Sequence, residues 1–583
     1  MRIPQERFFS TSDGTRLFYR FWPARSGSAN QAIVLFHRGH EHSGRLQHLV
    51  DELNLPDIAM FAWDARGHGR SFSEQANEAS IGTLVQDVDD FIRHIAANHN
   101  ISVEDIAILG QSVGSVLAAT WVHDFAPRIR CMVLAAPAFK VKLYVPLARP
   151  VLRIVHALRG NFHVKSYVKP SALTHDPERI ASWMADPLIR RPIPVNILLA
   201  LYSTSDRVIE DAEAIQVPTQ VLISGADFVV WKKPQHDFFR RLGAEVKELH
   251  VFEGFYHDTL GEKDRAPAIA KVREFILKRF AQPPVQPRLL DADRTGWTKA
   301  EFDRLSRPLS PLSPKAWSFA ITRLGMSTGG RLSDGIRLGL ASGFDSGSTL
   351  DYVYRNKPSG FTPVGRLIDW FYLNSIGWRG IRFRKQNLMR LLARVIATLR
   401  DNEQPVRIVD IAAGHGRYVL EAVAAAGPVV ESVLLRDFSE DNVDRGKRLI
   451  CEKGLQSVAR FEQGNAFDRL SLAALDPAPT IGVVSGLYEL FPDNTLVRES
   501  LGGLAGAIPT GGYLVYTGQP WHPQLEMIAR TLRSHRDGQP WIMRRRTQAE
   551  MDQMVEAAGF EKLAQLTDDG GIFTVSLARR VAH

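Results

Sequence analysis

Cysteine is nearly absent: Cys131 and Cys451 are the only two in 583 residues. That scarcity argues against a disulfide framework, and no metal centre is expected. Long apolar runs are missing too. The opening stretch MRIPQERFFSTSDGTRLFYRFW holds no run of the length a secretory signal needs. The most apolar later stretch, near residues 142–160, is broken by Arg149, Pro150, Arg153 and Arg159. It cannot span a bilayer, which takes about 20 mostly apolar residues, but it can lie on a membrane surface. Low-complexity tracts and fixed-period repeats are absent as well, which sets aside fibrous, solenoid and disordered classes. Nor is there a strong excess of charge. The net value is +9, enough for mild attraction to anionic lipid and too little to require nucleic acid. A reduced, cytoplasmic chain is expected, with peripheral contact to the inner face of an anionic membrane through the basic segment.

The chain does have length, and 45% of it is hydrophobic, which predicts two to four domains. From residue 32, short β-rich runs (AIVLF, IAMFAW, IAILG, CMVLAA, TQVLIS, ELHVF) alternate with helical patterns. This alternation predicts an α/β domain over 1–281 with a largely parallel sheet. A gap at about 139–215, with several basic residues and prolines, reads as an inserted helical cap. In APAIAKVREFILKRF, residues Ile269, Val272, Ile276 and Phe280 fall on one helical face. QPPVQP and SRPLSPLSP then predict a proline-rich linker over 282–335. Residues 336–400 read as helical and aromatic-rich, on the substrate side of a second α/β domain over 401–583. The runs RIVDI, SVLLRD, ARFEQGN, TIGVVSG and GYLVYTG mark that domain.

In AILGQSVGSVLAA, Gly110 and Gly114 flank Ser112 between a predicted strand and a predicted helix. Such a turn lifts a serine hydroxyl above the sheet. An acid and a histidine should follow in that order, each after a strand, and Asp227 and His257 do. WDARGHGRS, with Asp64, Arg66 and His68, reads as a structural turn. Together HRGHEHSGR, FAWDARGHGRS, GQSVGS, ADPLI, SGAD and EGFYH resemble the monoglyceride lipase and lysophospholipase branch of the α/β-hydrolases, of serine aminopeptidase type. The resemblance implies Ser112 as nucleophile, Asp227 as acid and His257 as base, with an oxyanion hole from the N–H groups of Gly39 and Val113. Arg38, His40 and Gln111 depart from the usual pattern. Bulk at 38 and 40 is expected either to narrow the acyl pocket or to recruit an anionic head group.

VRIVDIAAGHGRYVLEAV reads as strand, small-residue turn and helix. A dinucleotide fingerprint would place its acid about 20 residues after the glycines. Here Asp410 precedes Ala412, Gly414 and Gly416, which suits a cationic amino group better than a phosphate. Asp437 ends the next strand, where it could hold ribose hydroxyls, and Asn465-Ala466-Phe467 ends the third. The constellation resembles the class I S-adenosylmethionine-dependent methyltransferases, with Ala412 and Asn465 as departures. It implies a Rossmann-like fold, S-adenosyl-L-methionine as cofactor, and binding by Asp410, Ala412, Gly414, Gly416, Asp437, Asn465 and Ala466. VVSGLYELFPDN lacks the signature of amide or adenine methylation, so a small-molecule or lipid acceptor is expected. Tyr352, Tyr354, Arg379, Arg382 and Arg384 are candidates to line its pocket, or form an aromatic core under a basic face; Tyr488 and Glu489 are candidates near the chemistry.

The whole chain resembles bacterial bifunctional proteins that fuse an α/β-hydrolase to a class I methyltransferase. A serine hydrolase for an acyl ester, such as a monoacylglycerol-like or lysophospholipid-like lipid, is expected beside a methyltransferase. Two alternatives stay open: a non-catalytic S-adenosylmethionine sensor regulating the hydrolase, and an inactive acyl-lipid-binding front half serving the methyltransferase.

Overall fold

The computed structural model describes residues 1–27, 30–72, 79–145 and 147–582, and every candidate site residue lies within them. Two compact units are present, Met1–Pro287 and Arg288–His583.

The first unit is built on an eight-stranded sheet, with a separate two-stranded pair in its cap. The strands in chain order are β1 (Gln5–Ser10), β2 (Arg16–Trp22), β3 (Ala32–Phe36), β4 (Ala59–Trp63), β5 (Ile106–Gln111), β6 (Cys131–Ala135), β7 (His163–Lys165), β8 (Pro192–Pro194), β9 (Thr219–Ser224) and β10 (Lys247–Phe252). The sheet order is β1-β2-β4-β3-β5-β6-β9-β10. Pairing is antiparallel from β1 to β4 and parallel beyond. Strands β3 to β6 are buried along their whole length, as a parallel sheet covered on both faces requires. Side chains alternate between two cores: Val34, Phe36, Ile108 and Leu134 enter one, Ile33, Leu35, Leu109 and Val133 the other. The helix Ala266–Phe280 buries Ile269, Val272, Ile276 and Phe280. The expected cap contains the helices Ala148–Arg159, Pro177–Ala185 and Val195–Glu210, together with the antiparallel pair β7–β8.

The second unit holds β11 (Arg407–Asp410), β12 (Ser432–Asp437), β13 (Ala459–Gln463), β14 (Ile481–Val484), β15 (Tyr513–Gly518), β16 (Phe560–Thr567) and β17 (Thr574–Arg580). Their order is β13-β12-β11-β14-β15-β17-β16, with only β17 antiparallel to its neighbours. Strand order reverses between β11 and β14, and the crevice beyond their carboxyl ends is where doubly wound sheets bind ligands. Both units are therefore α/β, the first an α/β-hydrolase fold with a cap, the second a Rossmann-like methyltransferase fold.

The stretch 282–335 is not the extended connector its prolines suggest. Helices Ala292–Thr295, Trp297–Ser306 and Pro314–Ser327 occupy much of it. Pro314 sits in a first helical turn, where no N–H is needed, and Ser313 caps that end. Distant partners within the second unit hold the first two: Asn494 N donates to Asp293 at 2.9 Å, Arg544 Nη2 to Thr298 at 3.0 Å, and Arg545 grips Glu301 at 2.5 Å. Cys131 is buried in β6, whereas Cys451 is exposed near the end of the helix Glu440–Glu452. Among the described residues, no helix is long and apolar enough to cross a membrane.

Candidate active sites

Strand β5 delivers Ser112 to the end of the sheet, and the helix Val113–Phe125 starts on the next residue. Ser112 adopts φ 52° and ψ −112°, a backbone region that L-residues enter only under constraint. The constraint is visible. Ser112 N donates to Ala135 O at 2.9 Å, and Ala138 N donates to Ser112 O at 3.1 Å. The following helix approaches so closely that a Cβ at Gly114 would stand 2.6 Å from the carbonyl oxygen of His37. Only glycine fits there.

Asp227 follows β9. Its Oδ1 accepts from Val229 N at 2.7 Å and Val230 N at 2.9 Å, leaving Oδ2 for His257 Nδ1 at 2.8 Å. Burial alone would raise this carboxyl, but adjacent His257 and the two amides hold it below the usual carboxylate range. His257, after β10, places Nε2 2.7 Å from Ser112 Oγ. With Nδ1–H donated to Asp227, Nε2 is the acceptor for the serine proton. All three side chains are buried. Gly39 lies against the start of the elbow helix, its Cβ position 3.4 Å from Val113 Cγ2. Among the described residues, neither Gly39 N–H nor Val113 N–H has a protein acceptor. The structure thus brings together Ser112, Asp227, His257, Gly39 and Val113.

Ser112, His257, Gly39 and Val113 line a cavity of about 800 Å³. The cap supplies much of its apolar wall, including Leu143, Val151, Leu152, Ile193, Leu198 and Leu201. Arg38 presents no free charge to it. Its guanidinium is buried and bonds Glu41 at 2.6 and 3.1 Å, with Asp258 at 3.1 Å. Of the two alternatives for bulk at this loop, that leaves Arg38 little to offer an anionic head group, because Glu41 and Asp258 already balance its charge. His40 Nδ1 donates to Arg190 O at 2.7 Å, joining the loop after β3 to the cap. Burial and neighbouring His68 lower its imidazole to about 4. WDARGHGRS is the structural turn expected: Asp64 accepts from Ser43 N at 2.7 Å and Arg70 N at 2.8 Å, while Arg66 forms a two-point pair with Asp87.

In the second unit, Asp410 ends β11 fully buried. Its Oδ1 accepts from Ala412 N at 3.2 Å; Oδ2 has no partner among the described residues. Burial pushes this carboxyl up to about 7, even though Tyr418 lies beside it. The Tyr418 hydroxyl, Arg384 Nε and Ser485 Oγ are likewise buried and unpartnered. Ser485 directly follows β14, so Asp410 and Ser485 flank the point where strand order reverses. Tyr354 packs edge-on against Tyr418, and Arg384 Nη1 stands 3.5 Å from Glu489.

Gly414 has φ 58° and Gly416 φ 74°, and a Cβ at 416 would meet Leu435 Cδ1 at 2.4 Å. Asp437 organises this turn. Its Oδ2 accepts from Gly414 N at 2.9 Å, and its Oδ1 from Ser439 N at 2.9 Å and Asn442 Nδ2 at 3.0 Å. Asn465 is exposed and its Oδ1 caps Phe467 N at 3.0 Å. Ala466 packs in the core with Ile411 and Leu434. The helix Gly347–Arg355 lies on the glycine turn: Gly347 Cα is 3.5 Å from the Cβ position of Gly414, and Asp351 pairs with Arg417 at 2.5 Å.

Of the five pocket candidates in 336–400, Tyr354 and Arg384 reach the buried cluster. Tyr352 instead donates to Asp369 at 2.6 Å, Arg382 to Leu373 O at 2.7 Å, and Arg379 is exposed. Tyr488 is a core residue bonded to Ser500 at 3.0 Å. Sequence reasoning missed Tyr418, Ser485 and Asp351. Tyr418 had one available signal, its place two residues past the last turn glycine.

A family model described as "Putative methyltransferase" matches residues 272–580, and one described as "Serine aminopeptidase, S33" matches residues 27–264. "Uncharacterized protein YnbC" of Escherichia coli (strain K12) is 56% identical and covers 99% of each chain. "Monoacylglycerol lipase" of Mycolicibacterium smegmatis is 26% identical over 47% of this chain and 98% of its own. The crystal structure of Paleococcus ferrophilus monoacylglycerol lipase covers 48% of this chain and 99% of that one, at 19% identity and a TM-score of 0.40. This chain belongs to the family described as "Putative methyltransferase", and ahead of that region it carries an α/β-hydrolase domain of the serine aminopeptidase S33 type.

Proposed function

We propose that the first unit is a serine hydrolase acting on acyl esters of monoacylglycerol or lysophospholipid type. One observation carries this reading: the Ser112–His257–Asp227 chain opens onto a large cavity with an apolar cap wall. Ser112 Oγ attacks the ester carbonyl while His257 Nε2 takes its proton, and the N–H groups of Gly39 and Val113 receive the oxyanion. His257 then protonates the departing alcohol, and water releases the acyl group by the same route in reverse. The cap helix Ala148–Arg159 exposes Ile154 and Leu158 alongside Arg153 and Arg159, and serves to contact an anionic membrane near the lipid's point of entry.

The second unit is read as a methyltransferase for a small molecule or lipid, with S-adenosyl-L-methionine as methyl donor. The residues fit that cofactor. Asp410 Oδ2 lacks the donor that an amino group would bring, the turn at 414–416 carries no side chain at either glycine, and Asp437, which already accepts from Gly414 N, ends the next strand within reach of the same turn. When bound, the cofactor supplies an electrophilic methyl group. Asp410 binds its amino end, and Asp437 holds the glycine turn in place.

A fluorophosphonate probe and a monoacylglycerol assay test the first reading. Ser112→Ala should abolish labelling and lower kcat by roughly 10⁴-fold; wild-type labelling would remove it. Calorimetry with S-adenosylhomocysteine and label transfer into a lipid extract test the second. Binding without transfer would leave a cofactor-binding unit with no transferase role.

A further inference from the structure

The second unit carries an apolar surface that neither site uses. In the helix Pro314–Ser327 no residue is buried, and Trp317, Ile321 and Leu324 stand 63%, 69% and 62% exposed along one face. In the helix Pro363–Leu373, Gly365, Asp369 and Leu373 face inward. Val364, Leu367, Trp370 and Phe371 face outward, with Phe361 just ahead of them. The first helix runs into the turn Gly329–Leu332 and the second packs on it, so the two stripes adjoin at that turn. Scattered exposed apolar residues need no explanation, but two helix faces lined with tryptophan, phenylalanine and aliphatic residues do.

Charge identifies the occupant. Asp345, Asp351 and Asp369 are buried, and Asp334 is paired with Arg337 at 2.8 Å. Arg331, Lys357 and Arg366 are exposed and, among the described residues, have no carboxylate within ion-pairing distance. Arg337 itself sits over the Phe361 ring at 4.2 Å. An aromatic and aliphatic face rimmed by unpaired cations matches an anionic bilayer: the rings insert at the headgroup level while the cations meet phosphates. We propose that this face, formed by residues 314–332 and 361–371, docks the second unit on an anionic lipid surface, independently of the cap helix of the first unit.

Vesicle flotation of the full chain tests this. The parent should carry Ile154→Glu and Leu158→Glu, which remove the cap helix as a competing anchor. It should float with vesicles of mixed phosphatidylglycerol and phosphatidylcholine, more weakly with pure phosphatidylcholine, and less as salt rises. Adding Trp317→Ser, Leu367→Ser and Trp370→Ser should lower partitioning at least tenfold. Arg331→Ala with Arg366→Ala should lower it severalfold on the anionic vesicles only. All these positions are exposed, so an unchanged melting temperature and unchanged hydrolysis of a water-soluble ester confirm an intact fold. Equal partitioning of parent and patch variants would overturn the proposal. So would absent vesicle binding with self-association that the patch substitutions abolish, which would make the face a contact between copies.

Discussion

Ser112 is held in a backbone conformation that costs about 1–3 kcal/mol for a residue with a side chain. Its two substitutions to small residues should therefore separate. Ser112→Ala keeps the strain, whereas Ser112→Gly relieves it, offset by about 0.4–1 kcal/mol of added freedom in the unfolded chain. Both variants should be inactive, and the first-unit transition of Ser112→Gly should lie a few degrees above that of Ser112→Ala in scanning calorimetry. Asp410 offers a second test. Its folded carboxyl titrates near 7 against an ordinary 3.8, so between those values the folded state keeps a proton that the unfolded state has lost. Stability of the ligand-free second unit should fall as pH rises across that window, by a few kcal/mol at most, and level off above it. Asp410→Asn should flatten that part of the profile; an unchanged slope would assign it to other groups. The triad was legible because the three residue types recur in a fixed order after strands. Tyr418 and Ser485 were not legible as cluster members, because an unpartnered buried atom is a property of surroundings that no local pattern encodes.

At the scale of elements, the glycine turn is a joint product of β11, β12 and the helix Gly347–Arg355. Asp437 takes one donor from that turn, Gly414 N, and two from the start of the helix Glu440–Glu452, Ser439 N and Asn442 Nδ2. Asp437→Ala should therefore do more than weaken S-adenosylhomocysteine binding by about 10–100-fold, the scale of a lost charged hydrogen bond. It should also lower the melting temperature of the second unit by several degrees, because Gly414 N, Ser439 N and Asn442 lose their acceptor together. A fall in affinity with no change in stability would show that the turn holds itself. Strand positions were readable from short β-branched runs. The helices within 292–327 were not, because they are held by residues far along the chain, Asn494, Arg544 and Arg545 for the first two and Glu526 and Arg530 for the third, while local proline density points to an extended form.

For the whole molecule, docking of residues 292–306 onto the second unit shortens the free connector. Limited proteolysis should cut within about 281–290 and spare 292–327, giving fragments close to Met1–Pro287 and Arg288–His583. Persistent cuts within 300–325 would show that those helices are not held. The order of the two α/β units could be read directly, since each carries its own alternating series and its own small-residue turn. The assignment of 282–335 could not, since which unit owns a segment depends on long-range pairs. The scarcity of cysteine has a practical consequence for such experiments. Cys131 is sealed inside β6, where burial raises its thiol to about 12, and Cys451 is open to solvent. A maleimide dye added to the native chain should attach once, on the second unit alone. That gives an optical reporter of cofactor binding or bilayer docking in which the first unit is silent.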